Sequence, residues 1–258
     1  MDARPRPARP FRMHGPAPSR FRRDLPSPVP PHPADAALTP ARAHLYRQVL
    51  ARRTGRLAVV VEDCHDPHNA TAVLRSCDAT GVHRVHIVAG RNTFKVNRQI
   101  CQGSDRYLDL RVHAAIAEAY AALRADGFAI YATDLHGDAV HGPQRLAARL
   151  GGRPLAIAFG SEADGISAEG AALADGRVLL PMVGFTQSLN LSVSVAATLY
   201  ALRGEALADD APGDLDAAMQ QAEYERWVLN HRGDAARALI ERARGRHGEE
   251  IDVWRPAP

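Results

Sequence analysis

Lysine is nearly missing from this 258-residue chain: Lys95 stands alone among 32 lysines and arginines. The basic charge is therefore guanidinium, which forks onto phosphates and stacks on bases. Cysteine is scarce and odd in number (Cys64, Cys77, Cys101), with no CxxC pair. That excludes a disulfide framework and a cysteine-rich zinc module, and it fits a reducing cytoplasm. Aromatic residues make up only 5%. No window approaches the roughly 18 apolar residues of a membrane span. The N-terminus lacks the apolar region of a secretory signal. The expectation is a cytoplasmic protein without membrane contact. No GxGxxG follows a strand, and neither GxSxG nor HExxH occurs. Gly160 and Gly165 have P-loop spacing, but Ile166 stands where the lysine belongs. Cys64, His65 and His68 lie close together, as do His83 and His86, yet neither set offers the convergent ligands zinc needs. No metal is expected.

What the chain does have is a hydrophobic fraction of 46%, enough for a large core. Net charge is +3, unevenly placed. Residues 1–56 hold twelve arginines against Asp2, Asp24 and Asp35, so the remainder is acidic. A basic arm on an acidic body suggests a polyanionic partner, with a merely solvated tail as the alternative. Residues 1–40 contain eleven of the eighteen prolines. Such a segment neither pairs its backbone nor buries a continuous face, and it reads as a disordered arm. Residues 41–56 read as a basic N-terminal helix segment. Leu45, Val49 and Leu50 lie on one side, while Arg42, Arg47, Arg52 and Arg53 are placed for phosphate contact.

From Leu57 the pattern alternates strand and helix. Strands are expected at 57–61, 85–88, 128–132, 155–159 and 177–180. Helices are expected at 66–80, 114–125, 144–150, 168–174 and 188–202. Asp66-Pro67 opens the first of these helices and Gly81 closes it. The segment 90–104 reads as a loop. The alternation predicts an α/β fold, a parallel sheet with helices on both faces. Helical segments at 214–228 and 234–244 form a C-terminal extension over 206–258.

Three polar, glycine- or asparagine-bearing stretches fall at the carboxyl ends of predicted strands, where open α/β sheets bind ligands. The first runs from Glu62 to Arg75. On its helix His68, Thr71, Arg75 and Asp78 share a stripe. Arg75 could simply pair with Asp78 or Thr71 there, and Asn69 lies off that stripe. The second is Phe159-Gly-Ser-Glu-Ala-Asp-Gly-Ile-Ser167, which could be an ordinary turn with Ser167 as a helix cap. The third is Pro181-Met-Val-Gly-Phe-Thr-Gln-Ser-Leu-Asn-Leu-Ser192, where Ser188 could be a cap and Asn190 a first-turn polar group.

Together, Asn69-x5-Arg75, Phe159-Gly-x-Glu-x-x-Gly165 and Pro181-Met-x-Gly-x-x-Gln-Ser-Leu-Asn-x-Ser192 resemble the three motifs of the SPOUT class of RNA methyltransferases. More narrowly they resemble its TrmH family of ribose 2′-O-methyltransferases, over about Leu57 to Arg203. The resemblance implies a SPOUT domain over 57–205 with a deep trefoil knot in the C-terminal half of the sheet. It also implies a homodimer, and S-adenosylmethionine held bent in the knot loops. Asn69, Arg75, Glu162, Ser188 and Asn190 occupy the family's catalytic positions. Thr133, Gly160, Leu180 and Leu189 occupy its cofactor contacts. Arg75 would clamp a phosphate and stabilise the developing alkoxide, oriented by Asn69 and Ser188. Asp63-Cys64 and Asp105-Arg106-Tyr107 depart from the family pattern, and the family's lysines are replaced or missing. The implied substrate is guanosine 18 in the D-loop of tRNA. A ribosomal RNA substrate and a non-catalytic knotted RNA-binding protein are the alternatives.

Overall fold

The structure, a computed structural model, describes residues 21–89, 104–135 and 138–244. Seven strands form one sheet in the order β3-β2-β1-β6-β4-β7-β5. They are β1 (Thr54–Glu62), β2 (Val82–Val88), β3 (Asp109–His113), β4 (Ala129–Thr133), β5 (Val140–His141), β6 (Leu155–Phe159) and β7 (Gly176–Leu179). Every pairing among them is parallel. Residues alternate across each strand. On β1, Leu57, Val59 and Val61 enter one hydrophobic cluster, and Ala58 and Val60 enter another on the opposite face. Because both faces are covered, the central strands read as continuous apolar runs.

The first face carries α2 (Pro67–Thr80), α4 (Pro143–Leu150) and α6 (Leu191–Ala208), with α6 against both others. The second carries α3 (Ile116–Ala125) and α5 (Ala168–Leu173). The Asp66 side chain caps α2 through His68 N at 2.8 Å, Pro67 sits in its first turn, and Gly81 closes it at φ 76°. These are the expected signals.

Several expectations are corrected. β3 lies between the loop expected at 90–104 and the helix expected from 114, where no element is expected; Asp-Leu-Arg-Val-His is a polar edge strand without an apolar run. β5 is two residues long and has no periodicity to detect. Helix α6 begins at Leu191, not Ser188, because Asn190 is the residue that accepts from Ser192 N and Val193 N. It also continues past Leu202 to Ala208.

The proline-rich segment is also not an unstructured arm where it is described. A 3-10 turn spans Pro33–Ala37, and Leu25, Val29, Ala34 and Leu38 are buried. Val29, Ala34 and Leu38 join a separate core with α1 (Pro40–Leu50), α7 (Ala217–Arg232) and α8 (Asp234–Arg244), built around Tyr46, Tyr224 and Trp227. Proline interrupts the interior of helices and strands but not burial, and here the apolar residues between prolines supply the contact. Residues 1–20 and 245–258 lie outside the described residues, as does most of the expected loop at 90–104.

Three of the four N-terminal arginines expected to face phosphate have partners within the chain. Arg47 reaches Pro30 O at 2.9 Å, Asp35 at 2.8 Å and the Tyr224 hydroxyl at 3.1 Å. Arg52 pairs with Asp210 at 2.6 Å. Arg53 is 1% exposed and ion-paired with Asp78. These guanidinium groups are engaged inside the chain. Arg42 alone forms no ion pair among the described residues.

Candidate active site

The carboxyl ends of β4, β6 and β7 open onto a cavity of about 620 Å³. Its wall includes Thr133, Gly160, Glu162, Leu180, Ser188 and Leu189, six of the residues singled out from the sequence. Backbone makes much of this wall. Thr133 Oγ1 donates to Ala158 O at 3.1 Å, tying the end of β4 to β6. After β6 the chain turns back on itself: Ser161 N donates to Gly165 O at 3.1 Å, and Gly165 N to Ser161 O at 3.0 Å. The turn needs both glycines. Gly165 has φ 69°, and a Cβ on Gly160 would lie 1.8 Å from the Gly165 backbone.

Three motifs meet beside the cavity. Asn69 Nδ2 donates to Glu162 Oε1, and Asn190 Nδ2 donates to Asn69 Oδ1 at 3.2 Å. Asn190 Oδ1 in turn accepts from Ser192 N at 2.9 Å and Ser192 Oγ at 2.7 Å. One polar chain thus links the start of α2, the turn after β6 and the start of α6. Burial, helped by the Glu162 charge, pushes the Cys64 thiol up to about 11, so this cysteine stays protonated beside the site.

Arg75 is placed elsewhere. It is exposed on α2, outside the cavity wall, about 9 Å along the helix axis from Asn69. Its supposed neighbours are otherwise engaged: Asp78 binds Arg53, and Thr71 Oγ1 donates to Pro67 O at 2.6 Å. Among the described residues the Arg75 side chain makes no hydrogen bond or ion pair. The expectation that Asn69 orients Arg75 is therefore corrected: Asn69 spends its amide on Glu162 and Asn190.

Two features escape sequence reading. Glu62, 8% exposed at the end of β1, accepts from Ser167 N at 2.8 Å and Ser167 Oγ at 2.7 Å, fixing the start of α5. A carboxylate ending a wholly apolar run was its available signal. On the cavity wall Arg177 pairs with Asp134 at 3.2 Å. No group of three or more metal-ligating side chains exists among the described residues, and no helix there is long and apolar enough to cross a membrane.

An all-parallel sheet with a glycine-walled cavity at its carboxyl edge, joined to an Asn–Glu–Asn hydrogen-bond chain, defines a class. The chain belongs to the SpoU rRNA Methylase family, whose profile matches residues 56–200, more than half of its length. Within that class it is 40% identical over 162 residues to the tRNA (guanosine(18)-2′-O)-methyltransferase of Thermus thermophilus, spanning 63% of this chain and 81% of that protein. Its fold matches the A. aeolicus TrmH/SpoU tRNA modifying enzyme with a TM-score of 0.64 at 26% identity, over 74% of this chain and 96% of the other. It also matches the SpoU methyltransferase AviRb of Streptomyces viridochromogenes in complex with the cofactor AdoMet. There the TM-score is 0.51 at 26% identity, over 59% of this chain and 58% of that one.

Proposed function

We propose that this protein methylates the 2′-hydroxyl of a ribose in RNA, with guanosine 18 of tRNA as the target and S-adenosylmethionine as the methyl donor. The observation that carries this reading is the joining of Asn69, Glu162 and Asn190 beside a cavity walled by Thr133, Gly160, Leu180, Ser188 and Leu189. The residues present suit the cofactor. A nucleoside-sized cavity lined by backbone and leucine accepts a purine and ribose, and the tight Gly160–Gly165 turn lets main chain approach them. When bound, the sulfonium supplies an activated methyl group, so the chain's own task is alignment.

Glu162, Asn69 and Asn190 fix the geometry of the loops around the ribose. Ser188, on the cavity wall, orients the substrate. A guanidinium group offers no acceptor atom, so Arg75 is assigned no role as a base. It engages the RNA: its fork clamps the phosphate next to the target ribose and stabilises the alkoxide as it develops.

The same reading includes a homodimer, a trefoil knot in the C-terminal half of the sheet and a cytoplasmic location. The dimer is supported by α6, where Val193 (50% exposed), Tyr200 (56%) and Leu207 (36%) form an uncovered apolar stripe at seven-residue spacing. The knot is supported by strand order, since β6 and β7 each lie between strands made earlier. Arg42, half-buried over the Tyr46 ring and without an ion pair among the described residues, is the N-terminal arginine left to meet a phosphate.

The experiment compares unmodified tRNA with tRNA carrying a 2′-deoxy sugar at guanosine 18, using the full chain and tritiated cofactor. Methyl incorporation is expected only into the first. Equal incorporation overturns the site. Activity on ribosomal RNA alone would replace the substrate with the one the family's description names.

A further inference from the structure

Four arginines of the sheet domain are neutralised within the chain. Arg84 pairs with Asp126 at 2.5 Å, Arg111 with Asp109 at 2.9 Å, Arg124 with Asp175 at 3.2 Å and Arg177 with Asp134. A compact group breaks this pattern. Arg145 and Arg149 stand exposed on α4, Arg153 is exposed just beyond it, and exposed Arg56 donates to Gly152 O between them. None of the four forms an ion pair among the described residues. Sequence accounts for this: from Ala139 to Ser161 there is no Asp or Glu.

The group sits on a firm base. Leu146 is fully buried and Leu150 packs against the same cluster, so the opposite face of α4 is fixed outward. Arg145 and Arg149 are one helical turn apart, about 6 Å along the axis. Gly151 at φ 55° and Gly152 at φ 84° then turn the chain sharply, and the Arg56 contact pins that turn. Like charges at this spacing repel when left alone. A polyanion relieves that repulsion, and guanidinium forks suit phosphate oxygens. The patch lies at the amino edge of the sheet, across it from the cavity: Arg56 directly precedes Leu57 of β1, Arg153 stands two residues before β6, and Leu57 pairs with Leu155. It therefore meets a different part of a bound RNA from the reacting ribose.

We infer that Arg56, Arg145, Arg149 and Arg153 form a surface that grips the phosphate backbone of the RNA substrate. This rests on the proposed function, and it moves the main phosphate contact from the N-terminal helix to the outer face of α4.

The test compares three full-length proteins: the parent, Arg145→Gln/Arg149→Gln/Arg153→Gln, and the same three positions changed to Lys. Binding of an unmodified tRNA transcript is measured across a salt series. The glutamine triple is expected to lower the slope of log K against log salt by about 2 to 3, near 0.9 for each lost phosphate contact in a duplex. Its Kd should rise at least about tenfold at moderate salt. Its single-turnover rate at saturating tRNA and its calorimetric affinity for S-adenosylmethionine should stay at parent values. The lysine triple should keep the parent slope. A glutamine triple with the parent's slope and Kd overturns the surface, including the case in which the patch docks an acidic protein instead. A parent that ignores tRNA overturns the substrate reading, and the same comparison on ribosomal RNA then decides the surface by the same criterion.

Discussion

Asn69 is a two-sided connector: its amide nitrogen serves Glu162 and its amide oxygen serves Asn190. Asn69→Asp keeps the shape but sets one carboxylate against another. The pair can hold its geometry only while it shares a proton, which raises one pKa above the ordinary carboxylate range. Methyl transfer by this variant should therefore decline as pH rises through the range where that proton leaves, a loss the parent does not show. A parallel pH profile for both proteins would refute the connector role. At Arg75 the expectation differs. Arg75→Lys should be nearly as damaging as Arg75→Ala, because lysine lacks the fork; near-normal turnover with lysine would end that assignment. Sequence alone reveals the residue types at these positions but not their partners. Asn69 and Arg75 look like one unit in the first motif, yet a helix turns them to different sides. Likewise Arg53 reads as surface charge, while its position between α1 and β1 takes it into the interior against Asp78 and Trp227.

Elements defined by local chemistry are the legible ones. Asp66, Pro67 and Gly81 delimit α2, and apolar runs mark β1, β2 and β6. The start of α6 is harder to read, since Ser188 and Asn190 are both good caps and only the fold decides between them. The turn after β6 yields a sharp prediction. Gly160→Ala puts a methyl into the Gly165 backbone, so the turn must open. Calorimetry should show S-adenosylmethionine binding lost while the far-UV spectrum is retained.

The terminal core yields another. Arg47→Ala removes bonds to Asp35, Pro30 O and the Tyr224 hydroxyl, and a cation–ring contact at 4.4 Å. It should cost about 2–3 kcal/mol in denaturant unfolding, an effect of stability rather than of phosphate contact. Acid should also strike this region. Burial opposes the charge of Glu223, but hydrogen bonds from His83 and Arg226 outweigh it and hold the carboxyl at about 2. A carboxylate depressed in the folded state stabilises fully above its ordinary pKa of 4.5 and loses that contribution as pH falls toward 2. Glu223→Gln should flatten the loss of stability measured over that window.

On the scale of the whole molecule, α6 is where the proposed dimer is tested. A helix apolar nearly all round must be covered on more than one side. Leu191, Val195 and Leu199 are buried within the chain, whereas Val193 and Tyr200 are not. Tyr200→Arg should shift the mass in light scattering toward the monomer; a parent that is already monomeric at micromolar concentration refutes the dimer. The class of fold is readable from strand–helix alternation, but strand order is not, because no local pattern says which strand will lie between which others. That order also has a consequence in time. β1 and β4 meet only through β6, and β5 has no neighbour until β7 arrives. A nascent chain that has reached Leu150 therefore holds two strands with no sheet to join, their edges open to any passing chain. Synthesis must run some thirty residues further before the last of them closes, so the cavity comes into being late, with only the terminal core of α7 and α8 still to follow as the protein leaves the ribosome.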